Sequence, residues 1–266
     1  MGTVDEKNQL NLYNGKIRVI NPNGEEFKKF NPSEYTKYIA ERVESWTYLK
    51  FPYLREIGWK GFIDGSDSGI YCATPLARLN VSDRLSTPRA QEHFERFYEF
   101  LGSNKINGRY KPVHHRLATH WARLIELLYA SERMLELATD PEITNPDVRV
   151  IPERIIGEGV GSVEAPRGTL IHHYQTDDKG IIKKANLIVA TTNNYAAMCL
   201  SIKKATQKLI TREKIITDGL LNRIEMAFRL YDPCLSCATH SIPGKMPMIV
   251  TIYNNKGDLV EVIRRD

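Results

Sequence analysis

Phe94, Phe97, Tyr98 and Leu101 stand at i, i+3, i+4 and i+7 between Thr87-Pro88 and Gly102. This spacing draws one apolar stripe along a helix that a proline opens and a glycine closes. A longer helix is expected over about 113–138, with Leu117, Trp121, Leu124, Leu128 and Leu135 marking its buried face. Helices striped in this way must bury those stripes against other elements. The expected fold class is mainly α, with long helices packed as a bundle and small peripheral β-hairpins (α+β).

The other elements are shorter. Asn14-Gly15 and Asn23-Gly24 signal turns around two short strands near the start. Asn31 caps and Pro32 opens an expected helix carrying Tyr35, Tyr38, Ile39, Val43 and Trp46, with Glu34 where a capping-box acid belongs. The Gly- and Asp-rich GFIDGSDSG reads as a loop and leads into TPLARLN. GTLIHHYQT and ANLIVATT, separated by DDKG, read as a β-hairpin, and a last helix is expected over about 203–230 with a break near Asp218-Gly219. The tail reads as a second hairpin turning at 254–257.

Composition excludes several classes. The chain has 266 residues, 42% hydrophobic and 26% charged, which excludes disorder, collagen and a disulfide scaffold. The net charge of +5 is mild, its signs are interleaved, and no Lys/Arg block exists, so no nucleic-acid partner is expected. No apolar run reaches the roughly 18 residues of a membrane-spanning helix. The opening MGTVDEKNQLNLYNGKIRVI lacks the layout of a secretory signal, so a cytoplasmic location is expected.

Three segments can carry chemistry. In DPCLSCATH, Cys234 and Cys237 are three positions apart, and His240 adds a nitrogen donor three residues on. Two soft thiolates at this spacing grip one metal or bridge two, and they suit nickel, iron, zinc or copper(I). The spacing alone leaves a zinc site and a dithiol redox pair open. Cys72 and Cys199 stand alone, so no second CxxC completes a zinc ribbon. In GEGVGSVEAPRGTL the glycines fit neither GxGxxG nor a P-loop. Pro166-Arg167-Gly168 there is a rigid turn suited to holding a guanidinium against a small anion, or else a surface turn with a solvated arginine. In ATTNN, Thr191 is placed to donate into a pocket or to cap a helix. His114-His115 and His172-His173 are read as core or hydrogen-bonded histidines, since adjacent residues do not share a face.

EAPRG, IVATTNN and NRIEMAFRLYDPCLSCATH, in this order, resemble the C-terminal part of the large, catalytic subunit of nickel–iron hydrogenases. The last stretch is most similar to the cytoplasmic branch that includes methyl-viologen- and deazaflavin-reducing enzymes. The resemblance implies a hydrogenase large-subunit-like helical bundle, incomplete at its N-terminus, that cleaves dihydrogen heterolytically and reversibly. Its cofactor would be a nickel–iron centre with cyanide and carbon monoxide on iron. Cys234 would be a terminal nickel ligand and proton acceptor, and Cys237 would bridge the two metals. Arg167 would hang over the open side of the pair, with Asp232 holding its guanidinium. Ala165, Pro166 and Thr191 would surround the cyanides. His240 would end the mature chain and help bind a third metal, magnesium or iron.

The resemblance also implies what this sequence does not contain. The family's N-terminal CxxC and the acid that begins its proton path are absent, so the chain supplies two of four thiolates and is expected to be inactive alone. The implied partners are the missing N-terminal half or a companion chain, a soluble electron-acceptor module and an iron–sulfur small subunit. Residues 1–240 would be the large-subunit portion, and 241–266 a C-terminal extension removed by a maturation protease after nickel chaperones load the site. A non-catalytic, hydrogenase-like scaffold and a zinc-binding interaction module are the alternatives.

Overall fold

Met1, Gly2, Thr3 and Val4 are all buried, so the chain starts inside its own core. In the computed structural model, which describes residues 1–65, 67–210, 216–234 and 248–265, β1 (Gly2–Val4) pairs antiparallel with β2 (Lys16–Ile20). β2 pairs in turn with β3 (Glu26–Phe30) across the Asn23-Gly24 turn. Gly24 there adopts φ +94, a conformation glycine takes without steric cost.

The helix expected from Asn31 is short. A 3-10 turn (Pro32–Glu34) and one turn of helix, α1 (Tyr35–Tyr38), give way to β4 (Ile39–Val43), which pairs with β5 (Lys50–Leu54). The Asn31 side chain caps nothing. The β-branched Ile39 and Val43 gain more from this ladder than from continuing the helix.

TPLARLN forms α2 (Pro75–Val81), with the Thr74 hydroxyl accepting from the Ala77 N–H at 3.3 Å and Pro75 in the first turn. α3 (Pro88–Phe100) matches the expected stripe and ends before Gly102 at φ +73. After the small ribbon β6 (Lys105–Ile106) and β7 (Arg109–Tyr110), α4 (Ala118–Ala138) runs for 21 residues. Leu76 and Leu79 of α2, Phe94 and Phe97 of α3, and Ala122 and Ile125 of α4 share one core. Each buried Leu or Phe contributes about 1.5–3 kcal/mol of transfer free energy.

The buried face of α4 differs from the expected one. Ala122, Ile125 and Tyr129 are buried, while Leu117, Leu124 and Leu135 face outward. The helix is apolar on both sides, so hydrophobicity alone does not reveal which side meets α3.

β8 (Glu158–Ala165), β9 (Gly168–Thr176) and β10 (Ile182–Ile188) form an antiparallel sheet in the order β10-β9-β8. The expected β9–β10 hairpin is present. β8 adds a third strand, which the glycines of GEGVGS had concealed. A 3-10 turn (Ala190–Asn194) leads into α5 (Tyr195–Leu209), and α6 (Asp218–Arg229) follows, so the last expected helix is two. Ile171 and Ile188 of the sheet pack with Ile17, Phe30, Tyr35 and Tyr71 in a second core.

Met1–Tyr231 form one compact unit and Asp232–Asp266 another. The second contains the expected tail hairpin, β11 (Met248–Tyr253) and β12 (Leu259–Arg265), with Gly257 at φ +86 in its turn. The described residues thus mix helix and strand in an α+β chain whose sheets are more extensive than small peripheral hairpins. Among them, no helix is long and apolar enough to cross a membrane.

Candidate functional site

Ala165 pairs with Gly168 at the end of the β8–β9 ladder, which leaves Pro166 and Arg167 as a two-residue hairpin loop. The loop is pinned from below. The Ala165 carbonyl accepts from Arg78 Nη1 at 2.7 Å, and the Pro166 carbonyl accepts from Arg78 Nη2 at 3.2 Å. The Arg167 carbonyl accepts from Asn194 Nδ2 at 2.7 Å. Three consecutive carbonyls therefore each meet a donor from elsewhere in the fold, and the backbone that aims the Arg167 side chain is fixed.

Arg78 is 1% exposed and sits between two carboxylates. Its Nε donates to Glu126 Oε1 at 2.7 Å, its Nη2 to Glu126 Oε2 at 2.5 Å, and its Nη1 to Glu164 Oε2 at 3.1 Å. Burial alone would lower the affinity of this guanidinium for its proton. Glu126 and Glu164 outweigh that and hold it above its ordinary range. Glu164 Oε1 is also satisfied, accepting from the Thr3 N–H, the Thr3 hydroxyl and the Thr169 hydroxyl at 2.7, 2.8 and 2.9 Å. Every strong donor and acceptor in this buried group finds a partner, as a stable ionic core requires.

The Ala190–Asn194 turn closes against the same hairpin. Gly168 lies at φ +147, and a Cβ there would stand 2.6 Å from the Ala190 carbonyl oxygen and 3.0 Å from that of Ala73. Asn193 and Asn194 are fully buried. Asn193 Nδ2 donates to the Thr169 carbonyl at 2.6 Å, and its Oδ1 accepts from the Tyr71 hydroxyl at 2.7 Å. Burial pushes that phenol well above its usual pKa. Asn194 Oδ1 accepts from the Ala73 N–H at 2.8 Å. Ala165, Pro166, Arg167 and Thr191 are thereby brought to one locality, and Thr191 sits inside the 3-10 turn and does not cap a helix.

A second network holds the chain just before DPC. The Arg116 guanidinium donates to the Tyr231 hydroxyl at 2.7 Å and to Cys72 Sγ at 3.1 Å. The Tyr231 hydroxyl also meets Ser201 Oγ at 2.9 Å and donates to the Ala197 carbonyl at 3.1 Å. Burial raises the Tyr231 phenol above its ordinary pKa. The next residue, Asp232, takes the left-handed φ of +53, which aspartate tolerates better than most residues, and Pro233 then fixes the following φ. Asp232 and Cys234 open the second unit. Cys237 and His240 lie outside the described residues, as does the greater part of DPCLSCATH.

The paired histidines behave as the sequence implied. His172 Nδ1 meets the Tyr174 hydroxyl at 2.9 Å, while His173 bonds the Tyr35 hydroxyl at 3.0 Å and Glu158 at 2.7 Å. Sequence reasoning missed Arg78, Glu126, Glu164, Asn193 and Asn194 as a supporting shell. The Thr74-Pro75 pair was the available signal for α2, and with it for an inward-facing Arg78.

Comparison with known proteins follows the same segments. The chain matches the family model for nickel-dependent hydrogenases over residues 13–240. It is 49% identical over 264 residues to an iron-sulfur subunit of the F420-non-reducing hydrogenase of Archaeoglobus profundus, covering 99% of this chain and 53% of that protein. It is 39% identical over 263 residues to the NAD-reducing hydrogenase HoxS subunit beta of Cupriavidus necator, covering 98% of this chain and 51% of the relative. A chain in the crystal structure of an NAD+-reducing [NiFe]-hydrogenase in the H2-reduced state superposes with a TM-score of 0.76 at 38% identity, covering 90% of this chain and 50% of that one. The chain spans about half the length of the curated relatives it matches.

Proposed function

Because this chain belongs to the nickel-dependent hydrogenase family, we propose that it is the C-terminal portion of the catalytic subunit of a nickel–iron hydrogenase. The reaction is reversible heterolytic cleavage of dihydrogen, with electrons passed through an iron–sulfur small subunit to a soluble acceptor. The observation that carries this reading is the pinning of the Ala165-Pro166-Arg167 backbone by Arg78 and Asn194. A loop fixed at three consecutive carbonyls is what a preorganised guanidinium needs, because positioning done in advance costs nothing at the moment of reaction.

The donor set fits the metal pair as one half of its ligands. Cys234 and Cys237 offer two soft thiolates, and His240 offers a nitrogen for a third metal, magnesium or iron. The other two thiolates belong to a half of the fold that this sequence does not contain, and the chain is inactive without it. When bound, the nickel–iron centre, with cyanide and carbon monoxide on iron, polarises dihydrogen for heterolysis. Cys234 takes up the proton, Arg167 keeps a positive charge over the reacting face, and Asp232 orients that guanidinium. Ala165, Pro166 and Thr191 wall the diatomic ligands away from water.

The extension at 241–266 is the segment a maturation protease removes after nickel chaperones have loaded the site. Its boundary agrees with the family match, which ends at residue 240. The complex works in the cytoplasm.

The test is to produce the chain with its missing half and nickel chaperones, then measure bound metals, intact mass and exchange of H2 with D2O. One nickel per complex, cleavage after His240 and exchange activity that Arg167→Lys lowers at least 100-fold are expected. Stoichiometric zinc without nickel, in an uncut chain, overturns the proposal.

A further inference from the structure

Helix α4 is apolar on two opposite sides, and only one of them is covered. At 100° per residue, Ala122, Ile125 and Tyr129 share the side that meets α2 and α3. Leu117 at the N-cap, Leu124, Leu127, Met134 and Leu135 fall within an arc of about 100° on the other side. These five are between 61% and 68% exposed. A surface helix keeps polar residues on its outer face, and one that is apolar all round belongs in the interior of a larger assembly. An apolar groove lined by Leu10, Tyr129, Leu137 and Ile143 continues the stripe toward the end of the helix.

The relatives indicate what is available to cover it. They are about twice as long as the region they share with this chain. The solved neighbour reproduces 90% of this chain in only half of its own polypeptide. Its other half needs an apolar surface to pack on, and this stripe is a continuous one on a helix long enough for ridge-into-groove contact over several turns.

We infer that the outer face of α4, from Leu117 to Leu135, docks the half of the hydrogenase large-subunit fold that this chain does not contain, through an apolar face of that half. The inference rests on the reading of the chain as a portion of that subunit. It adds which surface completes the fold, and it makes α4 an interior helix of the finished protein.

The experiment uses this chain at full length. The probe is the half of the Archaeoglobus profundus protein that this chain does not match, produced as a separate polypeptide. Titration of one into the other, followed by hydrogen–deuterium exchange of the complex, is expected to show saturable binding and slowed exchange across residues 117–137. Leu124→Glu with Leu127→Glu is expected to weaken binding at least 100-fold while leaving the isolated chain's circular dichroism unchanged, because both side chains are already exposed in it. Ile181→Glu, on another exposed surface, is expected to bind as the parent does.

Absence of binding overturns the proposal, as does protection confined to other segments. Protection of α4 by self-association, or only by an iron–sulfur subunit, overturns it too. If the double variant misfolds, the exchange footprint of the parent complex decides. None of these readouts needs nickel or hydrogen. A chain that docks its half but loads no nickel would sink the catalytic reading and leave this one standing.

Discussion

Asn194 Nδ2 donates to the Arg167 carbonyl at 2.7 Å, while the Oδ1 of the same amide accepts from the Ala73 N–H at 2.8 Å. One fully buried side chain thus joins three segments that are far apart in sequence. An amide is suited to this place, since it offers a donor and an acceptor together and leaves no net charge in the core.

Asn194→Ala orphans a buried N–H and a carbonyl at once, and is expected to cost about 2–4 kcal/mol. Asn194→Asp keeps the acceptor but turns a carboxylate toward the Arg167 carbonyl, and should be worse than alanine. Urea melts of the three proteins test the order. An aspartate variant within about 0.5 kcal/mol of the parent would contradict it.

The local parts of this architecture were legible in the sequence. The α3 stripe, the β9–β10 hairpin and the tail hairpin follow from periodicity and turn residues. EAPRG, ATTNN and DPC could be singled out because each is contiguous. The supporting shell could not be read this way, because Arg78, Glu126, Glu164 and Asn194 meet only through tertiary contacts separated by 27 to 87 residues. Ile39 and Val43 were misassigned to a helix because pairing with the strand at 50–54 overrides local spacing. The wrong face of α4 was chosen for a different reason, since both faces are apolar and only one has its neighbour in this chain.

Arg78→Met removes the cation between Glu126 and Glu164, and should destabilise the fold by about 3–5 kcal/mol through two uncompensated buried carboxylates. Adding Glu126→Gln and Glu164→Gln should recover a substantial part of that loss, because the penalty lies in the orphaned charges. A triple variant no more stable than Arg78→Met would show instead that the guanidinium acts mainly through the Ala165 and Pro166 carbonyls.

Burial raises the Cys199 thiol above its ordinary pKa. Its thiolate is the reactive form, so alkylation near pH 7.5 should be slow and should keep rising with pH beyond the point where free cysteine levels off. Mass-spectrometric mapping of iodoacetamide labelling across pH 7 to 10 measures this directly. A Cys199 profile that levels off below that of free cysteine would rule out the raised value.

Gly168 and Gly161 make a matched pair on neighbouring strands. Gly168→Ala must hold a side chain at φ +147 with its Cβ 2.6 Å from the Ala190 oxygen, and neither the Ala190 nor the Ala73 carbonyl can give way cheaply because both are backbone. A left-handed strain of about 1–3 kcal/mol is then added to a backbone clash. Gly161 has open space around the same position and no positive φ. Gly161→Ala should therefore be neutral or stabilising by up to about 1 kcal/mol, since it removes freedom from the unfolded chain. Thermal melts should separate the two by well over 5 °C. The Gly168 variant should also lose the close fit between the Arg167 hairpin and the Ala190–Asn194 turn, which amide exchange at Thr169 and Thr192 would report. Equal melting temperatures would mean that the two segments do not approach as closely as their carbonyls indicate.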